Sequence, residues 1–196
     1  SKKKNIRSIP KPNAIFTSNP LRGLDWLLEV WEKKIFPLVD GAKLNLYSGT
    51  SNYGSFGEKH FFKVKKILER AKELKKKGVS VHKPINRKQL FKKIKESRIF
   101  LYSGSDEETF CMSAAESQML LTPGVVKNFG CMHDRIINGK TGYVCDTDED
   151  FCKKSIKLLC DDKLWKRMHS NLSNYNHHFS WEEIAKKWEK VIDLNY

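Results

Sequence analysis

No apolar run in this chain approaches the roughly 18 residues of a membrane-spanning helix, and the opening "SKKKNIRSIPKPN" lacks the apolar middle of a signal peptide. Cysteine is sparse and unpaired in pattern. Cys111, Cys131, Cys145, Cys152 and Cys160 form no C-x-x-C motif, and an odd count in 196 residues argues against a disulfide framework. Reduced thiols and a cytoplasmic address are the expectation. G-x-G-x-x-G is absent too. The glycine-rich "GTSNYGSFG" at 49–57 lacks that spacing, which excludes a dinucleotide fingerprint and leaves a flexible loop over a ligand. His177 and His178 have no carboxylate or cysteine at ligand spacing, so a polar turn between helices explains them better than a metal.

Apolar residues make up 39% and aromatics 11% of the chain, enough for one large folded domain. The formal charge of +14 is unevenly spread. Residues 1–12 read as a basic tail and 13–196 as the domain. Residues 63–98 hold fifteen basic and three acidic side chains, whereas 99–196 are slightly acidic. Such a block raises two binding readings, RNA or an anionic membrane surface. Against both, "KVKKILERAKELKKK" places Val64, Ile67, Leu68, Ala71 and Leu74 on one helical face, so its lysines also read as a solvated surface.

β-like and helical runs alternate. Strands are predicted at Asn13–Ser18, Lys43–Ser48, Val79–Lys83 and Arg98–Ser103, in "PGVVKN" and in "TGYVC". Helices are predicted from Gly23 through Trp31, over the basic block, after an Asn86 N-cap, and from near Cys111. From Asp148 onward the chain reads as helical, closing on "SWEEIAKKWEKVI" with a Ser180/Glu183 capping box. Trp165, Trp181 and Trp188 fall at helical spacings and are predicted in the core. Alternation with short links means an α/β fold: a doubly wound parallel sheet of about six strands with helices on both faces and a helical C-terminus. Ligands in such sheets bind beyond the carboxyl ends of the strands, where strand order reverses.

In "EETFCMSAAES" (Glu107–Ser117) two acids, Glu108 and Glu116, stand eight positions apart. If a helix starts near Cys111, Glu108 hangs at the strand end and Glu116 lies on the second turn, with open backbone amides from Phe110 to Ser113 between them. Amides at a helix start suit phosphate, and carboxylates suit hydroxyl donors. A ligand with hydroxyls at both ends and phosphates between fits, and a nucleotide sugar is such a ligand. On spacing alone, two idle surface acids remain the alternative. His133-Asp134 reads as the start of a short helix. Cys111 sits where a helix N-terminus can lower a thiol pKa, though its small size explains it without a nucleophilic role.

Several stretches, in order, resemble one family. Glu108-TFCMSAA-Glu116 matches the Glu-x7-Glu motif of retaining GT-B glycosyltransferases (glycosyl transferases group 1), and "NPLRGLDWLLEVW", "TPGVVKN", "INGKTGYV" and "FSWEEIAKKW" resemble its other segments. The resemblance runs from about Asn13 to Ile192 and is to the C-terminal, donor-binding, Rossmann-like half of a GT-B fold. It implies hexosyl transfer from a UDP-, GDP- or ADP-sugar to an acceptor hydroxyl with retention, without metal or other cofactor. By position it implies that Glu116 grips ribose hydroxyls and Glu108 the donor sugar. Phe110, Cys111 and Met112 then approach the sugar and distal phosphate through their amides, and Arg22 neutralises the diphosphate. His82, Lys83 and Ile85 fall where the family holds the base. The family's second phosphate-binding cation is unmatched, its neighbourhood holding Thr17, Ser18 or Asn19, with Lys83 or Lys127 as candidate substitutes. The resemblance also implies an acceptor-binding N-terminal domain that these residues do not supply, so the chain alone is expected to bind donor without transferring it. A GT-B-like epimerase or phosphorylase domain is the nearest alternative. Nucleic acid is not an expected partner, while peripheral contact with an anionic membrane at its cytoplasmic face is.

Overall fold

The computed structural model describes residues 8–49, 60–175 and 181–193. The predicted loop at 50–57, His177-His178 and the Ser180 cap lie outside them. Six short strands form one sheet: β1 (Asn13–Phe16), β2 (Lys43–Tyr47), β3 (Val79–His82), β4 (Ile99–Tyr102), β5 (Gly124–Lys127) and β6 (Gly142–Cys145). Every pairing is parallel and the order is β3-β2-β1-β4-β5-β6. Each strand falls inside its predicted run. β4 and β5 are buried at every position, as strands covered on both faces must be.

The helices are α1 (Leu24–Val30), α2 (Phe61–Glu73), α3 (Arg87–Glu96), α4 (Met112–Met119), α5 (Met132–Arg135), α6 (Asp148–Cys160), α7 (Asp162–Tyr175) and α8 (Trp181–Asp193). α1 continues through a π-helical turn (Trp31–Ile35) and a 3-10 turn (Phe36–Leu38). Asn86 caps α3 by accepting from the Gln89 amide, 2.9 Å. Thr147 caps α6 in the same way through the Asp150 amide, 3.1 Å.

The chain steps one way from β2 to β3 and the other way from β3 to β4. Right-handed crossovers then put α2 and α3 on opposite faces of the sheet. Their packing agrees, since α2 lies against α1 and α3 against α4. The basic block 63–98 is therefore split between two sides of the molecule, so it is not one continuous binding stripe. On α2 and the 3-10 turn after it (Leu74–Lys77), the predicted face is buried at Val64, Ile67, Ala71 and Leu74 and half-buried at Leu68, and the lysines lie around it.

Trp165 is fully buried, and its indole N–H donates to the Arg98 carbonyl. Trp188 departs from expectation. It is 64% exposed, because α8 is exposed along nearly its whole length and packs little against the rest of the chain. The Trp181 side chain lies outside the described ones. No helix among the described residues is long and apolar enough to cross a membrane.

Candidate nucleotide-sugar site

Strand order reverses between β1 and β4, and a cavity of about 700 Å3 opens at their carboxyl ends. One lip is the β1–α1 turn, through Ser18, Asn19, Leu21 and Arg22. The other is the segment from β4 into α4, residues 105 and 107–113. Asn19 shapes the first lip. Its side chain accepts from the Leu21 amide at 2.9 Å, and its carbonyl accepts from the Arg22 amide at 2.9 Å. Gly23 follows with φ +77°, and a Cβ there would stand 2.3 Å from Ser103 Cβ. Only glycine lets α1 begin this close to the end of β4.

On the second lip α4 begins at Met112, as predicted, so Glu108 precedes the helix. Cys111 is its N-cap in a left-handed conformation, φ 53°, and no side chain caps the helix. Such a backbone is unusual for a residue with a Cβ and costs about 1–3 kcal/mol, which the surrounding packing sustains. The opening amides of α4, at a positive helix end beside a cavity, suit an anion. Gly130 (φ +49°) lets the β5–α5 loop close on this segment, where the Cys131 amide donates to the Glu108 carbonyl at 2.9 Å.

Glu108 is the best-held side chain of the site. Its Oε2 accepts from the Tyr102 hydroxyl at 2.6 Å and lies 3.3 Å from Arg22 Nη1. Burial, and then the Glu108 carboxylate, hold the Tyr102 phenol well above its ordinary pKa, so Tyr102 is a permanent donor here. Burial likewise pushes the Cys111 thiol up to about 12, the reverse of the lowering that a helix N-terminus alone would give. Cys111 is a packed neutral thiol.

The cavity brings together Asn19, Arg22, Glu108, Phe110, Cys111 and Met112. Glu116, His82, Lys83 and Ile85 are not among its lining residues. Glu116 pairs with Arg87 Nη2 at 2.8 Å, at the start of α3, which places it toward the β3–α3 loop. His82 is stacked on Tyr47 with ring centroids 4.5 Å apart, and its Nε2 meets Asn45 Oδ1 at 3.0 Å. Burial, and then Lys93, lower its pKa.

Neither candidate substitute cation reaches the cavity. Lys127 donates to Asp148 Oδ1 (2.7 Å) and the Asp146 carbonyl (3.1 Å), and Lys83 is exposed beyond β3. Arg22 is the one cation that lines the cavity among the described residues. Two neighbours were missed in the sequence. Tyr102 stands as the last residue of β4, from where its hydroxyl reaches Glu108, and that position was the available signal. Arg135, whose guanidinium lies 4.2 Å over the Phe110 ring, gave none.

A parallel sheet of this order with a crevice at its reversal point defines a Rossmann-like α/β domain. The chain belongs to the glycosyl transferases group 1 family, whose profile matches residues 56–175. No curated protein matches it. Solved structures share its fold. Staphylococcus aureus TarM, in a complex containing UDP, superposes with TM-score 0.71 at 20% identity over 95% of this chain and 37% of its own. Sucrose-phosphate synthase of Thermosynechococcus elongatus gives 0.72 at 16% over 96% and 46%. Anabaena HepE with UDP-glucose gives 0.73 at 12% over 93% and 49%. The chain thus spans about a third to a half of the length of these neighbours.

Proposed function

We propose that the chain is the donor-binding half of a retaining, metal-independent glycosyltransferase, with a nucleoside-diphosphate sugar seated in the crevice between the β1 and β4 ends. The observation that carries this reading is the placement of Arg22 and Glu108 on facing lips of one cavity, beside the uncapped start of α4. The diphosphate lies against the α4 amides and Arg22, whose forked guanidinium suits paired phosphate oxygens. Glu108, held by Tyr102, accepts from hydroxyls of the hexose. Glu116, toward the β3–α3 loop, accepts from the ribose.

Arg22 and Glu108 neutralise one another in the free protein, and the incoming diphosphate takes over the guanidinium. In transfer, the bond from the anomeric carbon to the diphosphate oxygen breaks while the acceptor oxygen bonds to that carbon on the same face. The acceptor proton leaves with the diphosphate, and stabilising the charge on that leaving group is the protein's main contribution. UDP complexes among the structural neighbours support a uridine donor.

The acceptor side belongs to a second unit. The exposed apolar side chains of Trp188, Val191 and Ile192 on α8 support this, as does the greater length of the neighbours. The experiment is calorimetric titration of UDP-, GDP- and ADP-glucose into the wild-type chain and its Arg22→Ala variant. Saturable heat from one of them, weakened about 10- to 100-fold in the variant, is the expected result. Equal heats from both proteins contradict it.

A further inference from the structure

Beside the nucleotide-sugar crevice lies a second cavity, of about 540 Å3, between α1 and α2. Its walls include Leu21, Trp26 and Ile67, and its charge comes from Lys63, Lys66 and Arg70 against Asp25 alone. Arg70 is already bonded to Asp25. Lys63 and Lys66 have no ion-pair partner among the described residues.

Directly at the start of α2 stand two phenylalanines facing water. Phe62 is 83% exposed and Phe61 is 41% exposed, with their rings edge to face at 5.7 Å. Lys65 extends from the same turn, also exposed. Lys65 pairs with Glu69 at 3.9 Å, which leaves Lys63 and Lys66 as the lysines without an ion-pair partner among the described residues. Exposed aromatic rings beside two such lysines are the pairing that an anionic bilayer satisfies. The rings enter the boundary between headgroups and acyl chains, and the lysines meet headgroup phosphates.

We propose that the first turns of α2 dock this protein on an anionic lipid bilayer, with a headgroup phosphate held by Lys63 and Lys66 in the α1–α2 groove. The basic residues of α3, Lys88, Lys92 and Lys95, lie on the other side of the sheet, and that helix's own large apolar side chains, Leu90, Phe91 and Ile94, are half-buried or buried, so they take no part. An RNA strand fits less well. The two rings meet edge to face and do not offer parallel platforms for successive bases, and Arg70, the one arginine of the groove, is occupied by Asp25. α2 begins at the same sheet edge as the nucleotide-sugar crevice, so docking brings that crevice to the membrane surface, where an acceptor carried by a lipid would present its hydroxyl.

The test is sedimentation of the chain with phosphatidylcholine vesicles, with and without a one-third share of phosphatidylglycerol. Binding to the anionic vesicles only is expected, weakening as salt is added. Phe62→Ser should abolish it, and Lys63→Gln with Lys66→Gln should lower partitioning about 30-fold. Unaltered melting temperatures would show that the variants fold. An unaltered thermal response to UDP-glucose would separate this result from the fate of the donor reading. The proposal is overturned by no partitioning, or by partitioning insensitive to Phe62→Ser. Loss only in a Lys88, Lys92 and Lys95 variant overturns it as well. So does single-stranded RNA bound as tightly as vesicles whatever residue stands at 62, or glycerol phosphate bound in the groove without any binding to vesicles.

Discussion

The Tyr102 hydroxyl donates to the Glu108 carboxylate over 2.6 Å from a ring that is 1% exposed, joining the end of the central strand β4 to the acid of the crevice. A bond from a buried neutral donor to a carboxylate contributes more than an ordinary hydrogen bond. Tyr102→Phe keeps the ring and removes the donor. It should lower unfolding free energy by about 1.5–3 kcal/mol in urea titration. It should also weaken nucleotide-sugar binding, because Glu108 keeps only the half-exposed Arg22 as partner.

Burial holds the Cys111 and Cys145 thiols up to about 12 and raises the Tyr102 phenol further. Once unfolded, the thiols titrate near 8.5 and the phenol near 10. The folded chain keeps protons that the unfolded chain releases, so this stabilisation is complete below about pH 8.5 and fades as pH rises toward 12. Urea midpoints should fall steadily from pH 8 to pH 11. Alkylation near neutral pH should modify Cys160, the one exposed cysteine, and spare the other four. Rapid modification of Cys111 would contradict the packing described.

Gly23→Ala adds a methyl group where φ is +77° and Ser103 Cβ would be 2.3 Å away. Strain and overlap together should cost more than about 3 kcal/mol, read as a large loss of melting temperature. Gly41 also has positive φ (+64°), but a Cβ added there would meet nothing within 4 Å. Gly41→Ala should therefore cost about 1 kcal/mol, from backbone strain alone. Equal losses at both sites would refute the close approach of α1 to β4.

Glu116 and Arg87 form an ion pair in which Arg87 is 65% exposed, so Glu116→Ala should change stability by less than about 1 kcal/mol. If Glu116 holds the ribose, the same variant loses the stabilisation that a nucleotide sugar gives the wild-type chain. A small change in stability with a complete loss of ligand response separates a binding role from a structural one.

The sheet was legible because its strands are short apolar runs bounded by turn residues, and because α4 begins where Glu108 and the small residues after it require. Asn19, Arg22, Glu108 and Cys111 were legible as neighbours for the same reason: each lies just past the carboxyl end of a predicted strand. Side-chain partnerships across the fold were not. The place of Lys127 at a strand's carboxyl end makes it a candidate for the crevice, but Asp148, 21 residues away, holds it. The basic block looked continuous because sequence shows charge along a line, while crossover handedness sends α2 and α3 to opposite faces. Trp188 illustrates the same limit, since helical periodicity identifies an apolar stripe without saying what covers it.

The central claim is that the crevice between the β1 and β4 ends holds a nucleoside-diphosphate sugar, and thermal unfolding in the presence of UDP-glucose tests it most directly. At a hundredfold excess over the dissociation constant, bound ligand stabilises by about 2.7 kcal/mol. The account predicts a rise of about 5–10 °C in melting temperature, lost in Arg22→Ala. A melting temperature unmoved by UDP-, GDP- and ADP-glucose alike would contradict it.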